Sequence, residues 1–212
     1  MTIKIMIDPG HGGKETGAIA KDGTKEKDIN LTVANFLLRK IQKNPEFDVK
    51  MTRYVDTDVP LTERCETANK YKADYFISIH HNASGSGADG FEVYHSVNGG
   101  KGKDLATAVA HQFSLTNNQR YVGVRESEKN KGHDYYTVIA DTNMPAIITE
   151  YAFLDSKDYS AIDSVAEMEL EALAIAIALC KHLGVAPKFL KEDITDDKLK
   201  SKIGRASCRE RV

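Results

Sequence analysis

Three side chains stand where a predicted strand ends or a helix begins. They are His11 in Asp8-Pro9-Gly10-His11-Gly12-Gly13, Glu26 in Glu26-Lys27-Asp28-Ile29-Asn30-Leu31, and His80 in Ser78-Ile79-His80-His81-Asn82. Two imidazoles and one carboxylate make the donor set of a catalytic zinc site with an open fourth position. Glu150 closes the apolar run Ala146-Ile147-Ile148-Thr149. An unpaired carboxylate on a central strand is costly, so it needs a partner or a task. A further glutamate is what a hydrolytic metal site requires to handle protons. The candidate ligands lie 15 and 54 residues apart, which no short metal motif covers. Taken singly, a histidine after a strand is ordinarily a surface or hydrogen-bonded core group. A glutamate at a helix start ordinarily serves the helix dipole.

The elements that must position these residues follow from hydrophobic periodicity. Short apolar or alternating runs at 3–7, 47–51, 75–79, 90–95 and 146–150 predict strands, with a further short strand at 135–139. Helical spacing predicts helices over 28–43, 61–71, 103–119 and 165–183. The Gly-rich stretch 9–27 reads as a long functional loop. Strands alternating with helices predict an α/β fold: one twisted, mostly parallel central sheet with helices on both faces. Ligands collect at the carboxyl ends of such strands, where His11 and His80 fall. His81 then points to the sheet face opposite His80 and is a poor co-ligand. His95, His111, His133 and His182 rank below the named set.

At 212 residues, 41% hydrophobic and 28% charged, the chain has the makeup of a globular protein with one sizeable domain. No stretch is apolar for long enough to span a membrane. Met1 leads directly into a strand, so no signal peptide is expected. Cys65, Cys180 and Cys208 are far apart and odd in number, which predicts free thiols rather than disulfides or a thiolate zinc site. The domain is expected to end at 185, followed by a polar linker over 186–201. Residues 202–212 resemble translated sequencing adapter, which predicts a natural C-terminal region beyond residue 201. Without that tail, which carries four basic residues and one acidic residue, the net charge falls from −2 to −5. That balance gives no reason to expect nucleic acid as a partner.

Several short motifs stand together, in order, along the chain. They include Ile7-Asp8-Pro9-Gly10-His11-Gly12-Gly13, Glu26-Lys27-Asp28-Ile29-Asn30-Leu31, Met51-Thr52-Arg53 and Leu61-Thr62-Glu63-Arg64. Ala68-Asn69, Phe76 through Ala83, Gly90-Phe91-Glu92-Val93-Tyr94, Pro145 through Glu150 and Phe153-Leu154 complete the set. On these, residues 3–185 resemble the catalytic domain of zinc-dependent N-acetylmuramoyl-L-alanine amidases, the type found in autolysins, sporulation lysins and phage endolysins. The resemblance implies that His11, Glu26 and His80 hold Zn2+ and that Glu150 is the catalytic carboxylate. It implies peptidoglycan as substrate, cleaved between N-acetylmuramic acid and L-alanine. Asn82, Arg53 and His133 are candidate substrate contacts; Arg53 could instead hold the loop 54–60, and Asn82 could simply shape its turn. Arg64 and Asn69 read as helix-face packing. No membrane partner is expected, and the expected state is a monomer. The expected setting is a phage endolysin made in the host cytoplasm and acting on the bacterial wall, with a wall-binding module after residue 201. The alternatives are a non-catalytic wall-binding relative and another zinc hydrolase acting on stem peptides.

Overall fold

The computed structural model describes residues 2–116 and 119–189. Residues 190–212, with the suspected adapter tail, Cys208 and most of the expected linker, lie outside the described residues. Among the described residues, eight strands and five α-helices follow in the order β1 (Ile3–Pro9), α1 (Glu26–Ile41), β2 (Phe47–Met51), α2 (Leu61–Tyr71), β3 (Tyr75–Asn82) and β4 (Phe91–His95). Then come α3 (Gly100–Thr116), β5 (Tyr121–Arg125), β6 (Glu128–Asn130), β7 (His133–Asp134), α4 (Thr137–Ala140), β8 (Ala146–Phe153) and α5 (Val165–Leu183). A 3-10 helix at Lys157–Ala161 separates the last two.

Six strands form the central sheet in the order β2-β1-β3-β8-β4-β5. Neighbours are parallel except β4 and β8, which run antiparallel. Because strand side chains alternate, one set of residues fills each face. Ile5, Ile7, Ile77, Ile79, Ile147 and Tyr151 pack against α1, α3 and α5 in the larger core. Met6, Phe76, Ala146 and Ile148 pack against Cys65 and Ala68 of α2 and Val138 and Ile139 of α4. Each fully buried large aliphatic side chain contributes roughly 1.5–3 kcal/mol, so the larger core anchors the sheet under the site. Cys65 and Cys180 are free and buried. Burial pushes both thiols up to about 11, which makes them inert.

Several boundaries differ from expectation, each for a local reason. β3 runs on to Asn82 and β8 to Phe153, because both are central strands with neighbours on each side. His80 therefore lies within its strand rather than after it, and Glu150 inside its strand rather than at the end. α1 starts at Glu26, two residues early, with Lys25 extended as its N-cap. α3 is shifted to 100–116. The strand expected at 135–139 is replaced by α4, whose apolar Val138 and Ile139 pack on α2. Among the described residues no helix is long and apolar enough to cross a membrane. Ala186 to Phe189, expected as the start of a linker, are tied to the domain. Asn44 bonds the backbone of Ala186 and Lys188, and Phe189 joins the larger core.

Candidate metal centre and active site

Asp8, Ser78, His80 and Glu150 continue the α2/α4 face of the sheet beyond its apolar part. The register puts Asp8 beside Ser78 and His80 beside Glu150, about 4.8 Å apart as neighbouring strands require. His11 follows β1 with φ 58°, a left-handed conformation that non-glycine residues rarely adopt. Two buried arginines hold this loop. Arg64, from α2, pairs with Asp8 Oδ1 at 2.8 Å and donates to the carbonyls of Val59, Pro9 and His11. Arg53 donates to the carbonyls of Pro9, Gly10, Lys27 and Val55. Burial pushes the Asp8 carboxyl upward, but the Arg64 charge and bonds from Ser78, Thr52 and Arg64 outweigh it and hold it below its ordinary value.

The loop between β1 and α1 brings Glu26 back to the strand ends. Its Oε2 lies 3.2 Å from His11 Nε2 and its Oε1 lies 3.0 Å from His80 Nδ1. One ligand atom from each of the three residues lies within 4.8 Å of the others. Burial alone would raise the Glu26 carboxyl; hydrogen bonds from His11 and His80, and their charge, hold it far below the carboxylate range. Two glycines allow the close packing. A Cβ on Gly10 would lie 2.2 Å from the His80 ring, and one on Gly17 would lie 2.3 Å from Glu26 Oε2. The donor set, two imidazoles and a carboxylate converging from three elements, fits a zinc ion.

His11, His80 and Glu150 line one cavity of about 550 Å3, whose lining also includes the apolar Val59, Val138 and Ile148. Glu150 Oε2 is closed off from solvent and has no hydrogen-bond partner. Burial, then the charges of Glu26, Glu92 and Glu171, raise the Glu150 carboxyl well above its ordinary value. Glu92 is its register partner on β4.

The structure thus brings His11, Glu26, His80 and Glu150 together. It does not bring the three suggested substrate contacts to the cavity wall. Arg53 is buried at 2% exposure and spends its guanidinium on loop carbonyls, so it holds the loop. Asn82 accepts from the Ala83 amide and shapes the strand end. His133 sits exposed on the β6–β7 hairpin. Arg64 is more than helix-face packing, since it also lines the cavity. Asn69 bonds the backbone of Asp141 and Asn143 and so fixes the end of α4. Sequence reasoning missed the Asp8–Arg64 pair. A carboxylate ending the run Ile5-Met6-Ile7 was the available signal.

Fold and site together define an α/β domain with a two-histidine, one-carboxylate cation site and a separate buried glutamate, the makeup of a hydrolytic metal centre. The chain matches the family described as N-acetylmuramoyl-L-alanine amidase over residues 5–181, and it belongs to that family. It is 35% identical over 204 residues to the endolysin of Bacillus phage SPP1, covering 91% of this chain and 72% of that protein. It is 36% identical over 191 residues to the N-acetylmuramoyl-L-alanine amidase CwlM of Bacillus licheniformis, covering 85% and 71%. The catalytic domain of CwlV, an N-acetylmuramoyl-L-alanine amidase from Bacillus (Paenibacillus) polymyxa var. colistinus, shares the fold. Its TM-score is 0.79 at 29% identity, covering 87% of this chain and 100% of that one.

Proposed function

We propose that this chain is a zinc-dependent amidase that hydrolyses peptidoglycan between the lactyl carbonyl of N-acetylmuramic acid and the amine of L-alanine. The observation that carries the reading is the convergence of His11, Glu26 and His80, with Glu150 on the same cavity. When bound, zinc acidifies a water and polarises the scissile carbonyl. His11 Nε2, His80 Nδ1 and Glu26 would hold it. Glu150, which lines the same cavity, takes a proton from the attacking water and returns it to the leaving amine. Its raised pKa in the free protein comes first from burial and then from the Glu26 charge. A bound cation would offset that Glu26 charge and so draw the Glu150 pKa downward. Val59, Val138 and Ile148 keep their side of the cavity apolar, which strengthens the electrostatic interactions there.

The SPP1 endolysin likeness supports a phage lytic role among the family's settings. Zinc content and product masses from purified peptidoglycan, with and without chelator, test the proposal. Free stem peptides beginning at L-alanine, released only by the zinc-loaded protein, are expected. Release of other fragments would move the scissile bond. A folded, zinc-loaded protein that releases nothing would refute the activity and leave a wall-binding relative.

A further inference from the structure

Behind Glu26, on the sheet face away from the cavity, lies a chain of buried polar groups that neither the zinc site nor the cavity uses directly. Asn30, one turn along α1 from Glu26, donates one amide hydrogen to Glu26 Oε1 at 3.3 Å and the other to the Gly10 carbonyl at 3.2 Å. Its Oδ1 faces His81 Nδ1 at 2.8 Å. His81 Nε2 faces Glu171 Oε2 of α5 at 3.0 Å. Asn30 and both side chains of the His81–Glu171 pair are fully buried. The His81 backbone amide adds a second donor to Glu26 Oε1 at 3.1 Å, and the Ala18 amide holds Oε2 at 2.8 Å.

The hydrogens in this chain are determined by elimination. Asn30 must present its NH2 to Glu26 and Gly10, because both partners are acceptors only. Its Oδ1 therefore accepts, and His81 must carry a hydrogen on Nδ1. Nε2 and Glu171 Oε2 then share one proton between them, whichever atom holds it. Without His81 the buried Asn30 Oδ1 loses its partner, and the amide is no longer held from that end. The arrangement is expensive. Glu171 Oε1 is buried with no hydrogen-bond partner, and burial raises the Glu171 carboxyl. Apolar side chains in place of a buried imidazole–carboxylate pair are often as stable or more so. The pair is therefore poorly explained as a stabilising device, while its one directional output is the orientation of Asn30.

We propose that Asn30, His81 and Glu171 are positioning residues that fix the Glu26 carboxylate for zinc, linking helix α5 to the metal site. The inference rests on the zinc reading above. Ligand carboxylates held by an outer hydrogen bond typically lose about 10–100-fold in metal affinity when it is removed.

The test compares zinc affinity by chelator competition with thermal melting of the zinc-free proteins. The double variant His81→Leu/Glu171→Leu removes both buried polar groups at once and leaves no orphan charge. Because it leaves Asn30 Oδ1 without its donor, it is expected to melt close to wild type rather than above it, yet to bind zinc about 10–100-fold more weakly. Glu171→Gln keeps a hydrogen-bonding partner for Nε2 and is expected to recover most of that affinity. A folded double variant with wild-type zinc affinity would overturn the inference and leave the zinc reading intact. A wild-type protein that binds no zinc would overturn both. If the double variant does not fold, nitrogen NMR of the wild-type imidazoles decides: a protonated His81 Nδ1 supports the assigned chain, and a bare Nδ1 overturns it.

Discussion

Glu150→Gln preserves side-chain volume and removes the proton acceptor, so it separates chemistry from structure. Glu150 is not among the three converging ligands, and its Oε2 has no partner to lose. The variant is expected to keep its fold and its zinc. Its rate of stem-peptide release should fall about 10²–10⁴-fold, the usual worth of a general base. A near-wild-type rate would take Glu150 out of the mechanism. Gly10→Ala probes the opposite side of the site. The new methyl would sit 2.2 Å from the His80 ring, and the ring cannot hold its place against it. Zinc content after dialysis should drop to trace levels while the far-ultraviolet spectrum stays that of wild type. Full occupancy would show that the loop can shift without losing the ligand geometry.

At the scale of elements, the Asp8–Arg64 pair joins β1 to α2 and places the His11 loop. Arg64→Met leaves Asp8 buried without its countercharge, which costs about 3–5 kcal/mol. The pH dependence follows from the direction of the Asp8 shift. Its folded pKa is lowered, so its stabilising contribution is full above the unfolded value and is lost as pH falls through the folded one. Urea midpoints of wild type and Arg64→Met should therefore differ most at neutral pH and narrow in acid to the share owed to the Arg64 bonds to the Val59, Pro9 and His11 carbonyls. A gap that does not change with pH would mean that the charge pairing with Asp8 contributes nothing. This pair marks a limit of sequence reading: its members are 56 residues apart, and nothing local in either tells which charge the other meets. β1, β3 and β8 were legible, because each is an apolar run ending in chemistry. β5 was not, since Tyr121-Val122-Gly123-Val124-Arg125 is an edge strand with no fully buried residue. At 135–139, Val138 and Ile139 suit a strand and a short helix equally, and packing on α2 decides. Glu26 was legible as a ligand through the family resemblance; its spacing alone reads as a helix-dipole residue.

For the whole molecule, the question is whether metal holds the fold together or is held by it. Small zinc domains unfold when chelated because they have little else to bury. Here the larger core packs Ile5, Ile7, Ile77, Ile79 and Ile147 against three helices, and every one of these is fully buried. The ligand-bearing loop is tied down separately by Arg53 and Arg64. Chelation is therefore expected to stop peptide release while leaving one cooperative unfolding transition. Zinc still stabilises by mass action, about 2.7 kcal/mol at a free concentration 100 times Kd. For a domain of this size that corresponds to roughly 5–10 °C in Tm. Calorimetry with zinc buffered at that excess, and again in chelator, measures the difference. A broad transition or loss of tertiary signal in chelator would show instead that the His11–Glu26–His80 centre closes the fold. In that case the arginine clamps would be insufficient without the metal.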